Sequence, residues 1–283
     1  MESGVSATPA PGRLFVVSTP IGNMGDFSFR AVEVLRGAAV VLAEDTRHSR
    51  SLLDRYEIRT PTLAYHEHNE ARATPAVIAR LQSGDDVALI SDAGTPLVSD
   101  PGARLVRAAV DAGVEVVPIP GASALLAALV ASGLDATRFT FFGFLPRKGR
   151  DRSDAIAMLV DLPHTAIVYE APARVGDTLA ELAEAGADAR DAVVAREMTK
   201  HFEEVRRGTV GELAAYYKDA PARGEVVIVV AGGAAPRATD DQLRQRASQL
   251  RSEGMSVRDA AAALVDEFGV RRNEAYRIVR DHE

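Results

Sequence analysis

The chain has 283 residues, of which 47% are hydrophobic and 26% charged, and its formal net charge is −7. This composition is typical of a globular protein, and the length exceeds one ordinary hydrophobic core, so two domains are expected. Cysteine is absent, which excludes disulfides, zinc–thiolate and iron–sulfur sites and thiol nucleophiles. No apolar run approaches the roughly 18 residues that span a bilayer. Together these features predict a cytoplasmic enzyme without a membrane anchor or a bound metal.

The first part of the chain alternates strand and helix patterns. Residues 1–12 are small and polar without an apolar stretch, and they predict a disordered tail. Residues 13–134 then predict an N-terminal α/β domain with a mostly parallel sheet covered on both faces. Its predicted strands are 13–19, 39–43, 62–65, 87–90 and 115–118, and its predicted helices are 28–36, 46–55, 70–82, 103–112 and one that opens at 121–123.

The second part predicts another α/β domain over residues 135–232. Its strands are expected at 139–144, 166–169, 192–196, 203–208 and 225–231, and its helices at 151–159, 174–185 and 210–217. The strand at 203–208 follows its predecessor closely, which favours some antiparallel pairing. A Gly/Ala/Pro linker covers 232–239, and residues 240–283 predict a small helical module of helix-turn-helix type with Gly269 as the turn.

The stretch from Leu89 to Gly102 reads L-I-S-D-A-G-T-P-L-V-S-D-P-G and directly follows a buried strand. Such residues leave backbone groups free at the carboxyl end of a strand, where open α/β sheets bind small ligands. A simpler interpretation is a strand-to-helix loop with Asp100 as N-cap and Pro101 at the first helical position. Four more loops, 18–26, 118–124, 169–174 and 195–200, have a similar design and come from both domains. The sequence therefore predicts a small-molecule site in an interdomain cleft, although no P-loop or G-x-G-x-x-G motif is present.

Six segments in order resemble the ribosomal RNA small subunit methyltransferase I family, which belongs to the tetrapyrrole-methylase-like S-adenosylmethionine enzymes. They are S-T-P-I-G-N-M-G-D at 18–26, E-D-T-R-H-S at 44–49, S-D-A-G-T-P-L-V-S-D-P-G at 91–102, P-I-P-G-A-S-A at 118–124, Y-E-A-P-A-R at 169–174 and A-R-E-M-T-K at 195–200. The resemblance covers residues 13–232. It implies a two-domain tetrapyrrole-methylase-like fold with S-adenosylmethionine folded into the cleft, 2′-O-methylation of cytidine 1402 of 16S rRNA in the assembled 30S subunit, and a homodimer.

The resemblance also implies the cofactor contacts, mostly through backbone atoms. Asn23 departs from the Asp that many tetrapyrrole methylases have in the first turn, a departure shared with the rRNA branch. The implied contacts are Pro20 and Ile21 in the first turn, Gly94, Thr95, Pro96 and Val98 in the second loop, Ser123 and Ala124 in the third, and Glu170, Ala171, Ala195, Val226 and Val227 in the second domain.

Candidate catalytic residues come from the same loops. Arg47 and Lys200 are candidates for guiding the phosphate backbone or the ribose, and Glu197 and Asp100 are weaker candidates for the proton acceptor. Simpler roles are open beside these: an N-cap at Asp45 or Thr46 before Arg47, and a plain ion pair between Glu197 and Lys200.

Arg147 and Lys148 lie in a short basic run between the domains, which suits either an RNA phosphate contact or a solvated loop. His66-Glu-His68 could hold a metal, but no third ligand has a matching spacing, so a solvated or substrate-facing loop is favoured. From Arg237 onward nine arginines balance nine acidic residues. These arginine-rich helices predict either an RNA contact or plain packing on the catalytic domains.

Two other classes of function stay open at this point. Other enzymes with the fold that the resemblance implies methylate tetrapyrroles or an intermediate of the diphthamide pathway. A non-enzymatic ribosome-binding factor is the alternative outside the enzymes, although four cofactor-type loops argue against it. The E-D-T-R and S-D-A-G-T-P variants favour the rRNA branch.

Overall fold

The computed structural model describes residues 10–233, 240–268, 270 and 272–280. Most of the predicted N-terminal tail, most of the linker after Gly233 and the proposed turn at Gly269 lie outside the described residues. At the start of the described chain, the Gly12 amide donates to the Leu81 carbonyl oxygen at 2.7 Å. The backbone is therefore tied to the first domain two residues before its first strand.

The first domain is a parallel sheet with helices on both faces, as predicted. Its strands lie in the order β3-β2-β4-β1-β5, and every pair is parallel. The strands are β1 (Leu14–Val17), β2 (Val40–Ala43), β3 (Thr62–Ala64), β4 (Val87–Ile90) and β5 (Val116–Ile119), and the helices are α1 (Phe29–Gly37), α2 (Thr46–Arg55), α3 (Glu70–Gln82), α4 (Ala103–Asp111) and α5 (Ala124–Ser132).

The central strand β4 shows why the sheet has two covered faces. Val87 and Leu89 pack in the core under α3 and α4, whereas Ala88 and Ile90 pack in the core under α1 and α2. Successive side chains of a strand point to opposite faces, so a strand covered on both sides must be apolar throughout. This run is followed at once by the polar loop from Ser91, which places that loop at the carboxyl edge of the sheet.

Of two predicted helix N-caps, the structure confirms the one at Asp45 and not the one at Asp100. Asp45 is the N-cap of α2, and its Oδ1 accepts from the Arg47 amide at 2.8 Å. Asp100 is not the N-cap of α4, because that helix begins at Ala103 after Gly102, whose φ is +127°. A Cβ on Gly102 would lie 2.6 Å from the Leu89 side chain, so glycine is required for the chain to pass the strand and enter the helix. Asp100 is thereby left free of the helix.

The second domain has a mixed sheet in the order β6-β7-β10-β8-β9. Only β6 and β7 are parallel, and the other three pairs are antiparallel, including the predicted pair β8 and β9. Its strands are β6 (Phe139–Phe144), β7 (Thr165–Glu170), β8 (Asp191–Arg196), β9 (Glu204–Thr209) and β10 (Val226–Val230), and its helices are α6 (Arg150–Asp161), α7 (Val175–Leu182) and α8 (Val210–Asp219).

Helix α5 belongs by its packing to the second sheet. Leu125, Ala128 and Leu129 share a core with side chains of β7, β8 and β10, while α6, α7 and α8 cover the opposite face. The boundary predicted after residue 134 falls behind this helix, whereas the packing places the helix with the second domain. The apolar sequence of α5 has no polar face that could have indicated which sheet it covers.

Three helices form the C-terminal module: α9 (Asp240–Ser252), α10 (Val257–Phe268) and α11 (Arg272–Arg280). Its core consists of side chains from these helices, among them Leu243, Leu250, Leu264 and Ile278. The predicted helical module is therefore confirmed, and it has a core of its own. Across the described residues, no helix combines the length and the apolar character needed to cross a membrane.

Candidate active site

A cavity of about 310 Å³, here called the main cavity, lies between the two sheets. The loops after β1, β4 and β5 meet there because parallel strands end at the same edge. In the second sheet Glu170, the last residue of β7, pairs with Val226, the first residue of β10, so both reach the same edge. The lining comprises Ile21, Ala93, Gly94, Thr95, Val98, Ser99, Asp100, Ser123, Ala124, Phe144, Tyr169, Glu170, Ala171, Pro172, Met198, Gly224, Glu225, Val226 and Val227.

Ten of the thirteen residues that were predicted to contact a cofactor line the main cavity. The exceptions are Pro20, Pro96 and Ala195. Pro20 lines a neighbouring smaller cavity, Pro96 is buried in its loop, and Ala195 is fully buried within β8 in the core shared with α5. Loops that carry five of the six motifs therefore meet at one cavity, and three of the thirteen predicted residues do not line it.

Eight lining residues were not singled out from the sequence. Tyr169 and Met198 stand inside two of the motifs, whereas Phe144 ends β6, where the register shifts beside Gly143 at φ +65°. Such a bulge redirects a side chain and has no sequence signal beyond the glycine itself. The others are Ala93, Ser99, Pro172, Gly224 and Glu225.

Thr95 ties three of the cavity loops together. Its Oγ1 lies 3.0 Å from the Ser18 hydroxyl and donates to the Ala122 carbonyl oxygen at 3.2 Å. One residue earlier, Gly94 and Thr19 exchange two backbone hydrogen bonds of 2.8 and 3.1 Å. The loops after β1, β4 and β5 are thus held in one arrangement by bonds that link residues far apart in sequence.

Four non-glycine residues in the two loops at the cavity have left-handed backbone conformations. Leu97 and Ser99 have φ of +73° and +69°, and Glu197 and Thr199 have φ of +51° and +69°. These conformations cost of order 1 kcal/mol or more each and cluster where function requires a particular loop geometry. Both loops are therefore held by their surroundings rather than by local preference.

Lys200 forms ion pairs with two carboxylates. Its Nζ lies 2.9 Å from Glu197 Oε1 and 3.0 Å from Glu225 Oε2, and the Glu197 carboxylate also accepts from the Glu225 amide at 3.0 Å. The hydrogen bond from Lys200, followed by that from the Glu225 amide, lowers the pKa of Glu197. Burial opposes the charge on Lys200, but the bonds to both glutamates outweigh it and raise the pKa of the ammonium. The predicted plain ion pair is present, extended by Glu225.

Asp100 has the opposite environment. Burial is the main cause that raises its pKa to about 6, and the nearby carboxylate of Glu44 adds to the shift. The pKa of Glu44 is itself raised, first by burial and then by Asp92. A carboxyl group with a pKa near neutrality at a cavity is suited to accept a proton in the physiological range.

The smaller cavity, about 200 Å³, adjoins the main cavity and shares Ile21, Ala93 and Glu225 with it. Its other walls come from the loops after β1 and β4, from α2 and from Lys200. Thr199 Oγ1 accepts from the Asn23 amide at 3.0 Å, which links the first and second domains beside this cavity. The two cavities are therefore neighbours that share part of their walls.

Most of the remaining predicted residues are exposed. Arg47 is 92% exposed in its side chain and sits 3.6 Å from Asp45, and it lines neither of the two cavities. Arg147 and Lys148 are exposed in the loop after β6. His66 and His68 lie in the loop and turn between β3 and α3. In the parts of the chain that the structure describes, no three His, Asp or Glu side chains are placed to hold a metal ion.

Comparison with known proteins identifies the fold. The sequence profile of the tetrapyrrole (corrin/porphyrin) methylases matches residues 13–214. A solved diphthine synthase superposes with a TM-score of 0.63 at 18% identity, covering 78% of this chain and 90% of that chain. A uroporphyrin-III C-methyltransferase from Thermus thermophilus, solved in complex with S-adenosylhomocysteine, superposes with a TM-score of 0.56 at 19% identity, covering 78% and 97%. These likenesses show the fold.

Relatives that match over nearly their whole length are more similar to this chain in sequence than these solved structures are. The ribosomal RNA small subunit methyltransferase I of Mesorhizobium japonicum is 47% identical over 278 residues, which cover 98% of this chain and 94% of that protein. The protein of the same name from Escherichia coli O157:H7 is 39% identical over 285 residues, which cover the whole of both. The chain therefore belongs to the tetrapyrrole methylase family and, within it, to the ribosomal RNA small subunit methyltransferase I family.

Proposed function

We propose that this chain is an S-adenosylmethionine-dependent methyltransferase that methylates the 2′-OH of cytidine 1402 of 16S rRNA in the assembled 30S subunit. The observation that carries the proposal is the convergence of the family's motif residues on one interdomain cavity. The names of full-length relatives support a ribosomal RNA substrate. The exact nucleotide and the ribose oxygen come from the family resemblance.

The residues of the main cavity fit S-adenosylmethionine. The carboxylates of Asp100 and Glu225 suit a ligand with a positively charged sulfonium and an amino group. The backbone of Gly94 leaves room for close approach, and Tyr169 and Val227 offer apolar surface to a nucleoside ring. When bound, the cofactor supplies the methyl group, and no metal is required for its transfer.

The smaller cavity suits the ribose that carries the reacting hydroxyl. At about 200 Å³ it lies below the roughly 300–1,000 Å³ of typical sites for drug-sized ligands, a size that suits one sugar. Holding two reactants in a productive orientation contributes roughly 7–11 kcal/mol relative to free encounter. Positioning by the two adjoining compartments is therefore the main catalytic device.

Asp100 is the better of the two proposed proton acceptors. Its pKa of about 6 leaves it mostly ionised at neutral pH and basic enough to accept a proton. Glu197 is committed to Lys200 and the Glu225 amide, and its pKa is lowered. General-base assistance of this kind contributes roughly 10²–10⁴-fold to a rate.

Exposed basic residues on the surface support local contacts with RNA phosphates. Arg47, Arg147 and Lys148 are exposed, but the chain carries a net charge of −7. Long-range attraction therefore contributes little, and recognition requires the shape of a folded particle. We also propose a cytoplasmic homodimer on the family resemblance; light scattering that gives about 30 kDa, the mass of one chain, would contradict the dimer.

The test incubates the protein with methyl-labelled S-adenosylmethionine and 30S subunits from cells that lack this methylation, and maps the product by mass spectrometry. Label on the ribose of cytidine 1402 supports the proposal. Label on a base or a ribosomal protein, or transfer to a tetrapyrrole offered in parallel, contradicts it. Deproteinised 16S rRNA serves as the comparison substrate and should accept far less label.

A further inference from the structure

Helix α11 has two chemically different faces. Ala275, Ile278 and Val279 are buried in the core of the C-terminal module. On the opposite side, a surface cleft is lined by Asn273, Tyr276, Arg277 and Arg280, whose spacing of i, i+3, i+4 and i+7 forms one helical stripe. With the neighbouring Arg272, these residues are called here the arginine face.

The guanidinium groups of the arginine face are exposed, and no carboxylate within the described residues forms an ion pair with them. Elsewhere in the module, Arg244 pairs with Asp240 and Arg246 pairs with Glu267. On α11 itself the acidic residue is Glu274, and Asp281 and Glu283 follow in the sequence outside the described residues. The arginine face thus concentrates positive charge in a chain whose net charge is −7.

Tyr276 adds an aromatic ring to this face. The Arg272 guanidinium lies 5.9 Å from the centre of the ring, within the range of a cation–π contact. The ring is half-buried, so one part is supported by the module while another part remains available. Arginine flanking a supported tyrosine is a combination that stacks on bases and neutralises phosphates together.

We propose that the arginine face binds the phosphate backbone of an RNA segment in the substrate particle, outside the nucleotide that is methylated. Guanidinium groups bind phosphates with paired hydrogen bonds, and the Asn273 amide and the Tyr276 ring can contact a base. An acidic protein surface would match the charge but would make no use of the ring and the amide. This inference rests on the proposed function, because it takes the substrate to be RNA.

The separate core of the module makes the face testable in the full chain. Arg277 and Arg280 are exposed, so replacing both with alanine should leave the module folded. Arg277→Ala/Arg280→Ala is compared with Arg244→Ala/Arg258→Ala, which removes two exposed arginines from the other helices of the same module. The two variants have equal net charge, so a difference between them reports position rather than charge alone.

The measurement is binding to 30S subunits lacking the methylation, over a series of salt concentrations. Each phosphate contact on single-stranded RNA contributes about 0.7 to the slope of log affinity against log salt. Relative to 1 M salt, one lost contact therefore weakens binding about fivefold at 0.1 M salt. We expect Arg277→Ala/Arg280→Ala to bind about 25-fold more weakly there, with a slope shallower by about 1.4, and the control pair to stay within about threefold. S-adenosylmethionine affinity should not change in either variant.

Equal affinities and slopes for the wild type and Arg277→Ala/Arg280→Ala would overturn the proposal. A photoreactive phenylalanine analogue at position 276 provides the second arm: a crosslink to 16S rRNA supports the proposal, and a crosslink to ribosomal protein alone overturns it. A wild type that binds 30S subunits but transfers no methyl group would refute the proposed function. In that case the binding and crosslinking arms still decide the role of the arginine face.

Discussion

Glu170 offers the sharpest test of how the second domain supports the site, because the residue lies at the main cavity while its side chain is fully buried. Glu170 Oε2 accepts from Thr178 Oγ1 at 2.6 Å and Oε1 accepts from the Ala171 amide at 2.8 Å. The carboxylate also pairs with Arg174 and lies 3.9 Å from Arg152. We expect Glu170→Gln to destabilise the protein while leaving the shape of the cavity nearly unchanged.

The size of the expected loss of stability follows from Arg152, whose side chain is buried beside Glu170. Removing one partner of a buried ion pair typically costs 3–5 kcal/mol. Arg152 keeps Glu181, which its Nε contacts at 2.8 Å, and a glutamine can still accept from Thr178. The loss should therefore lie near the lower end, about 3 kcal/mol, which corresponds to a fall in Tm of roughly 6–12 °C for a chain of this size.

Thermal unfolding followed by calorimetry measures this loss, and Glu181→Gln is the matched control. The Glu181 side chain is 42% exposed, so its replacement should cost under about 1 kcal/mol. Adding Arg152→Met to Glu170→Gln should recover part of the loss, because it removes a buried guanidinium that would then keep Glu181 as its remaining carboxylate partner. Equal Tm values for Glu170→Gln and the wild type would refute this account of the buried pair.

Three further outcomes are expected. Thr95→Arg should abolish S-adenosylmethionine binding in calorimetry with EDTA present, because the new side chain enters the main cavity beside Gly94; unchanged affinity would show that the loop is not at the cofactor. Because folding raises the pKa of Asp100 from an ordinary 3.8 to about 6, its contribution to stability is present below about pH 4 and is lost as the pH rises to about 6. Methylation kcat/KM should rise as the pH passes through about 6, because the ionised carboxylate is the proton acceptor. Asp100→Asn should remove the pH dependence of both stability and kcat/KM. A pH profile that persists in the variant would assign the proton to another group. Truncation after Gly233 should leave cofactor binding intact and weaken 30S methylation with a reduced salt dependence, whereas full activity would show that the module is dispensable.

Much of the fold could be predicted because local patterns specify it. The helix over Glu70–Gln82 and the strand over Val87–Ile90 have the predicted bounds, and the N-cap at Asp45 is confirmed. The packing of α5 on the second sheet could not be predicted, since an apolar helix carries no sign of which surface covers it.

The candidate site shows a similar limit. The motifs identify the loops that line the main cavity, but they do not say which residue of each loop faces inward. That choice depends on contacts between distant segments, such as the Thr19–Gly94 bridge and the Thr95 hydroxyl bonds. Ala195 belongs to β8, and the alternation of that strand turns its side chain into the core shared with α5.

The carboxylates around the main cavity also bear on turnover. Asp100 and Glu225 line it, Glu44 lies close enough to Asp100 to raise its pKa, and the single ammonium of Lys200 is shared between Glu197 and Glu225. Under the proposed function, methyl transfer removes the sulfonium charge from the bound cofactor, so the negative field holds the spent form less tightly than the fresh one. Product inhibition is thereby weakened by charge, and exchange of the spent cofactor is favoured after each round.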